Sequence, residues 1–315
     1  MKFPVMILTV VFMLFLSVLL AQNNLKENLS INYVTQDLNN SIIGYPGEMA
    51  SLLISNKQMK STSHDILSVS NRKDSFLKNQ VIAHRGAWKN TGTPQNSVGS
   101  LKAAIDMGCA GSEADLHMTK DGKLIMNHDP DVDGIHIQIT DYKDLKHIRL
   151  SNGERLPLLE DFLKIIKAQN ATRLILEIKT SQKGPEWAKE TVRKVIDAVH
   201  KKKVQDWMAY ISFDYEICKE ILKLEPTANV QYLNGDKSPE QLKADGIKGA
   251  DYHYTVFQKK PEWIQSAKMN QIDLNAWTVN KSADMKWLLD NGFEYITTDQ
   301  PELLFKEIKK AQNNK

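Results

Sequence analysis

A short apolar run at residues 81–83 ends in His84 and Arg85. A packed core does not accept two side chains that can carry positive charge, whereas a site that handles an anion does. Glu113 and Asp115 interrupt a second strand-like stretch. Residues two apart on a strand share a face, so both carboxylates point the same way. Glu177 and Lys179 repeat that spacing at the end of the apolar run 174–176, and His128 follows another short run. Three carboxylates form an all-oxygen set, which suits a hard divalent cation, Mg²⁺ or Ca²⁺, better than zinc. Two imidazoles offer an acid and a base near neutral pH. Arg85 and Lys179 supply fixed positive charge. Such a set fits a phosphate diester. The cations would hold the charge on the phosphoryl oxygens, and the histidines would move protons at the attacking and leaving oxygens.

Each residue also has an ordinary reading. His84 could be a satisfied loop residue, Glu113 and Asp115 a solvated edge, and Glu177 with Lys179 a local ion pair. Strand ends holding this many ionisable groups are costly, however, unless the groups pair or bind a metal. Their convergence therefore favours a site.

The elements that must position them alternate. Strand-like runs are expected at 81–83, 111–117, 173–179, 207–213, 229–233, 250–254, 272–279 and 295–298. Amphipathic stretches of helical period fall at 97–107, 186–200, 215–224, 240–245, 262–269, 283–289 and 302–311. Pro239, Pro261 and Pro301 are placed to open helices, and Gly108 and Gly292 to close them. Eight strand-then-helix units within 79–315 predict a (β/α)₈ TIM barrel, an α/β fold whose working residues sit at the C-terminal ends of its strands. Residues 121–128 form an extra strand, either a hairpin excursion or an extension of the second strand.

Outside the barrel, residues 1–21 carry Lys2 and then an uncharged apolar stretch ending at Ala21. This is the pattern of a signal peptide, and it is long enough to serve instead as a membrane anchor through residues 3–21. The protein is expected to be exported. Residues 22–78 read as a polar extension or linker. The net charge of +3, from 41 basic and 38 acidic residues, leaves no basic footprint for nucleic acid. Cys109 and Cys218 lack metal-ligand spacing and read as buried thiols.

Several motifs occur in a telling order: His84-Arg85-Gly86, Pro94-Gln95-Asn96-Ser97, Gly111 through Asp115, Thr119 through Gly122, His128-Asp129, Leu176 through Lys179, Ser212-Phe213, Trp277 through Asn280, and Thr298-Asp299. In this order they resemble the glycerophosphodiester phosphodiesterase family over about residues 80–315. The resemblance implies a TIM barrel that hydrolyses small glycerophosphodiesters to glycerol 3-phosphate and an alcohol. By that likeness Glu113, Asp115 and Glu177 would hold a Mg²⁺ or Ca²⁺ ion, and His84 and His128 would be the acid/base pair. Arg85 and Lys179 would contact the phosphate, Phe213 and Trp277 would line the substrate pocket, and Asn96 would support the ligands from behind. Two departures stand out. The family usually has Glu where Gln95 stands, and the loop at 130–140 differs, which bears on substrate preference. His117 and His136 read as structural. Competing readings are a phospholipase-type enzyme acting on intact lipid, an exported binding protein with an inactive barrel, and an aldolase using Lys179. The last is disfavoured because an adjacent carboxylate keeps the amine charged.

Overall fold

In a computed structural model of the chain, the described residues are 76–313. The segment expected at 1–21 and most of the extension expected at 22–78 lie outside them. The chain runs β1 Val81–Ala83, α1 Val98–Asp106, β2 Gly111–Met118, β3 Leu124–Met126, β4 Asp131–Val132, β5 Ile135–His136, α2 Tyr142–Leu145 and α3 Leu159–Lys167. It continues β6 Arg173–Ile178, α4 Pro185–Lys202, β7 Met208–Ser212, α5 Tyr215–Leu224, β8 Val230–Tyr232, α6 Pro239–Ala244 and β9 Gly249–His253. The last part is α7 Tyr254–Lys259, α8 Glu262–Asn270, β10 Asp273–Trp277, α9 Ser282–Asp290, β11 Tyr295–Thr298 and α10 Pro301–Asn313.

Eight of these strands, β1, β2 and β6 to β11, pair in parallel. The sheet closes where β1 meets both β2 and β11, giving the expected barrel. Residues 121–128 resolve as the hairpin: β3 pairs antiparallel with the far end of β2. The strands expected at 173–179, 207–213, 229–233 and 272–279 were one to three residues too long. Trp207 lies in a 3₁₀ turn before β7, and Tyr254 opens α7. Pro239 and Pro301 occupy the first helical turn as expected, but Pro261 is the N-cap of α8. Gly108 and Gly292 follow their helices with φ of +75° and +72°, the left-handed conformation that ends a helix. The helices α2, α3 and α7 were not foreseen.

The strands alternate between two cores. Ala114, Leu116, Leu174 and Leu176 face the helix layer, where they pack with residues such as Val192, Val195 and Leu163. Ile82, Ile175, Ala209, Ile211 and Leu233 fill the barrel interior. The excursion between β2 and α3 carries its own small core of Ile125, Ile137, Leu145 and Leu156. Cys109 and Cys218 are buried free thiols. Among the described residues no helix is long and apolar enough to cross a membrane.

The described chain begins before β1, and Phe76 is already part of the core. It packs edge-on against Trp207 with centroids 5.8 Å apart, while the Arg173 guanidinium lies 4.0 Å from its ring centre. Truncation of a buried Phe costs about 3–5 kcal/mol. Phe76→Ala is therefore expected to lower the denaturant midpoint clearly, with turnover per folded molecule unchanged. A midpoint equal to wild type contradicts this packing.

Candidate active site

The site begins at the β1–α1 turn. Arg85 and Asn96 both adopt left-handed backbone conformations, with φ of +55° and +54°. Such strain persists where surrounding bonds over-determine it. Here the Arg85 N–H donates to Glu113 Oε2 at 2.8 Å, and the Asn96 N–H donates to the Arg85 carbonyl at 3.0 Å. Gly86 follows with φ of +79°, and a Cβ there would stand 2.4 Å from Ser100 Oγ, so only glycine fits. Ser97 then caps α1 through a reciprocal pair of bonds with Ser100.

Asn96 reaches across to β2. Its Nδ2 donates to Asp115 Oδ2 at 2.8 Å, and its Oδ1 accepts from the Asp115 N–H at 2.9 Å. Asp115 is thus held on two sides, in the way an outer group fixes a ligand. Asn96→Ala is expected to raise the divalent-ion concentration needed for half-maximal activity by about 10–100-fold. A metal titration of the variant checks this, and an unchanged requirement refutes it.

Glu113, Asp115 and Glu177 come together as expected. All three are buried, and each offers an oxygen within 4.8 Å of the others. Lys179, just past the end of β6, donates to Asp115 Oδ1 and Glu177 Oε1 at 2.7 Å each. Arg85 Nε approaches Asp115 Oδ2 at 3.6 Å, and Arg85 Nη1 donates to Gln95 Oε1 at 2.6 Å. Burial drives the Glu113 carboxyl well above the ordinary range, and the charges of Asp115 and Glu177 push the same way. Burial also lifts Glu177 to about 7 against the pull of Lys179. Burial works on Asp115 in the same direction, but Lys179 and Asn96 outweigh it and hold that group near 2. For Lys179, burial opposes the charge, yet Asp115 and Glu177 raise its pKa above the usual value. It is therefore a fixed cation rather than a free amine, which removes the aldolase reading.

The Lys179 ammonium and the more distant Arg85 guanidinium do not offset three buried acids. Glu113 Oε1 is buried with no hydrogen-bond partner. A divalent cation would supply the missing charge and the missing partner together, so these residues fit one.

The histidines flank the acids, and each is held from behind. His84 Nδ1 donates to Asp299 Oδ1 at 2.7 Å, and His84 Nε2 lies 4.0 Å from Glu113 Oε2. Asp299 is itself fixed by Asn280, whose Nδ2 donates to Asp299 Oδ2 at 2.7 Å. His128 Nδ1 donates to Asp129 Oδ1 at 2.7 Å. Burial, then Lys179, pushes the His128 pKa below its usual value. In both rings the Nδ1–H bond sets the tautomer and leaves Nε2 available as an acceptor.

His84, Arg85, Glu113, His128, Glu177, Lys179, Phe213 and Trp277 line one pocket. Asp115 lies directly behind, with Asn96 behind it. Phe213 and Trp277 meet edge-to-face with centroids 5.4 Å apart. His117 is not a pocket residue. Its Nε2 donates to the His128 carbonyl at 3.1 Å, a structural role as expected. His136 sits in the β4–β5 hairpin, away from the pocket lining. Three residues went unassigned from the sequence. Asp129 adjoins a candidate histidine, and Asp299 stood in a motif without a role. Asp251, also a pocket residue, gave no signal.

The model of the glycerophosphoryl diester phosphodiesterase family matches residues 84–303. A glycerophosphodiester phosphodiesterase from Caldanaerobacter subterraneus is 29% identical over 249 residues, covering 75% of this chain and all of the relative. The crystal structure of a glycerophosphodiester phosphodiesterase from Parabacteroides distasonis is 43% identical, with a TM-score of 0.72, over 75% of this chain and all of that one. A phosphodiesterase from Oleispira antarctica, solved with the product sn-glycerol-3-phosphate, shares the fold at 23% identity and a TM-score of 0.64, over 73% of this chain and 97% of that one. The chain belongs to the glycerophosphoryl diester phosphodiesterase family, whose members hydrolyse glycerophosphodiesters.

Proposed function

We propose that this pocket hydrolyses small glycerophosphodiesters to glycerol 3-phosphate and an alcohol, with His84 and His128 as the acid/base pair. The observation that carries this reading is the pair of histidines, each fixed at Nδ1 by a carboxylate, flanking three acids that need a cation. Arg85 and Lys179 bind the phosphate. Their charges are fixed before substrate arrives, so no reorganisation is needed as charge grows on the phosphoryl oxygens. One imidazole, unprotonated at Nε2, takes the proton of the attacking water, and the other, entering as the imidazolium with a proton also on Nε2, delivers that proton to the departing alkoxide. Phe213 and Trp277 give the carbon skeleton an apolar wall.

Glu113, Asp115 and Glu177 would hold the divalent ion, Mg²⁺ or Ca²⁺, which supplies Lewis-acid stabilisation of the phosphoryl oxygens. The product bound in the Oleispira structure supports the same product chemistry here. The apolar segment at 1–21 supports an exported protein, held at the membrane if that segment is retained.

The test is release of glycerol phosphate from glycerophosphocholine, with Mg²⁺ or Ca²⁺ supplied and then chelated. Turnover that depends on the ion is the expected result. No turnover with either ion overturns the proposal, and release of headgroup from phospholipid vesicles in its place favours the lipase reading.

A further inference from the structure

Asp251 lies in the middle of β9, in register with Asn275 of β10. Its neighbours Ala250 and Tyr252 pack into the helix-side core, so strand alternation turns Asp251 into the barrel. There it lines the same pocket as His84, Glu177, Lys179 and Trp277. The residue is 1% exposed, and its Oδ1 has no hydrogen-bond partner. It is not one of the three clustered acids, and no lysine or arginine pairs with it. The charge that reaches it is that of Glu177, of the same sign, which adds to the effect of burial in lifting its pKa. A buried carboxyl without a partner weakens a fold and is retained where something completes it.

The surroundings suggest what completes it. Ile211, Leu233, Phe213 and Trp277 form an apolar side to the pocket, while Arg85 and Lys179 stand with the acids. A diester whose phosphate rests on those cations lays its carbon chain toward the apolar side. Asp251 is the acid of this lining that is outside the three-acid cluster and has no cation beside it. We propose that Asp251 determines specificity for the polyol end of the substrate, its free oxygen accepting a hydrogen bond from a glycerol hydroxyl. This rests on the reading of the pocket as a diesterase site. Hydrogen bonding to a substrate hydroxyl separates close analogues more sharply than an apolar contact does, because the unmatched analogue leaves a buried group unpaired.

The experiment compares two diesters on the full chain. Glycerophosphocholine carries free glycerol hydroxyls, and ethyl p-nitrophenyl phosphate carries none. Asp251→Ala is expected to lower kcat/KM for glycerophosphocholine about 10–100-fold. Turnover of the aryl diester and the ion requirement should stay within about twofold of wild type, taking that as assay scatter. Asp251→Asn keeps an acceptor oxygen and should recover most of the loss. The alanine variant should unfold no earlier than wild type, since it removes an unpartnered buried group. Equal losses on both diesters, a shifted ion requirement, or no loss on either overturns the assignment. A wild type inactive on both diesters overturns the diesterase reading itself, and this assignment with it.

Discussion

Replacing His84 with alanine should lower kcat for glycerophosphocholine by about 10²–10⁴-fold, the usual contribution of a positioned acid or base. KM should move little, because the proposed phosphate contacts are those of Arg85 and Lys179. The expectation follows from geometry. His84 Nδ1 is committed to Asp299, so only Nε2 faces the pocket, and it lies 4.0 Å from Glu113 Oε2. His117, bound to the His128 carbonyl, is not free to replace it. Asp299→Asn separates positioning from chemistry. It retains the shape of the partner but weakens the bond that fixes the tautomer, so it should cost less than losing the ring. The checks are steady-state kinetics and thermal unfolding of both variants. A stable His84→Ala protein with wild-type kcat would remove His84 from the mechanism.

The fold was legible because a parallel strand is buried on both faces and reads as a continuous apolar run. Val81–Ala83, Leu174–Leu176 and Met208–Ile211 left that trace, whereas β2, β9 and β10 interleave acids or amides with their apolar residues. Strand ends left no such trace, because they are set by the neighbour. β9 stops at His253 where its pairing with Trp277 of β10 stops, and Tyr254 then turns into α7. The helix Leu159–Lys167 escaped notice behind the irregular stretch of the β2–α3 excursion, although its apolar residues Leu159, Phe162, Leu163 and Ile166 keep helical spacing. The acids and histidines of the site were visible because charge at the end of an apolar run is conspicuous. Their supports were less so. The link from Asp299 to His84 exists only because β11 closes the barrel onto β1, a contact across most of the chain. Asp251 was hidden for another reason. Within Gly249–His253 the sequence does not say which alternate residues face inward, and that choice decides between a surface acid and a pocket acid.

Asp115→Asn should be at least as damaging as loss of His84. The change preserves size and removes one negative charge. In the native site Asp115 receives Lys179 at 2.7 Å and Asn96 at 2.8 Å, with the Arg85 guanidinium at 3.6 Å. Its loss leaves those two cations facing fewer acids, which disfavours adding a divalent ion. Forfeiting several kcal/mol of charge stabilisation corresponds to a fall in kcat of about 10³-fold or more. Unfolding offers a second readout that needs no substrate. An ion that binds only the folded wild type raises its stability by about 2.7 kcal/mol at a hundredfold excess over Kd, and a chelator removes that gain. The Asn variant should unfold at the same temperature with or without the ion. It should also lose less than the whole barrel's stability, because Lys179 keeps its bond to Glu177 at 2.7 Å. If chelation leaves both the activity and the melting temperature of wild type untouched, the three acids hold no ion, and Lys179 and Arg85 must balance them.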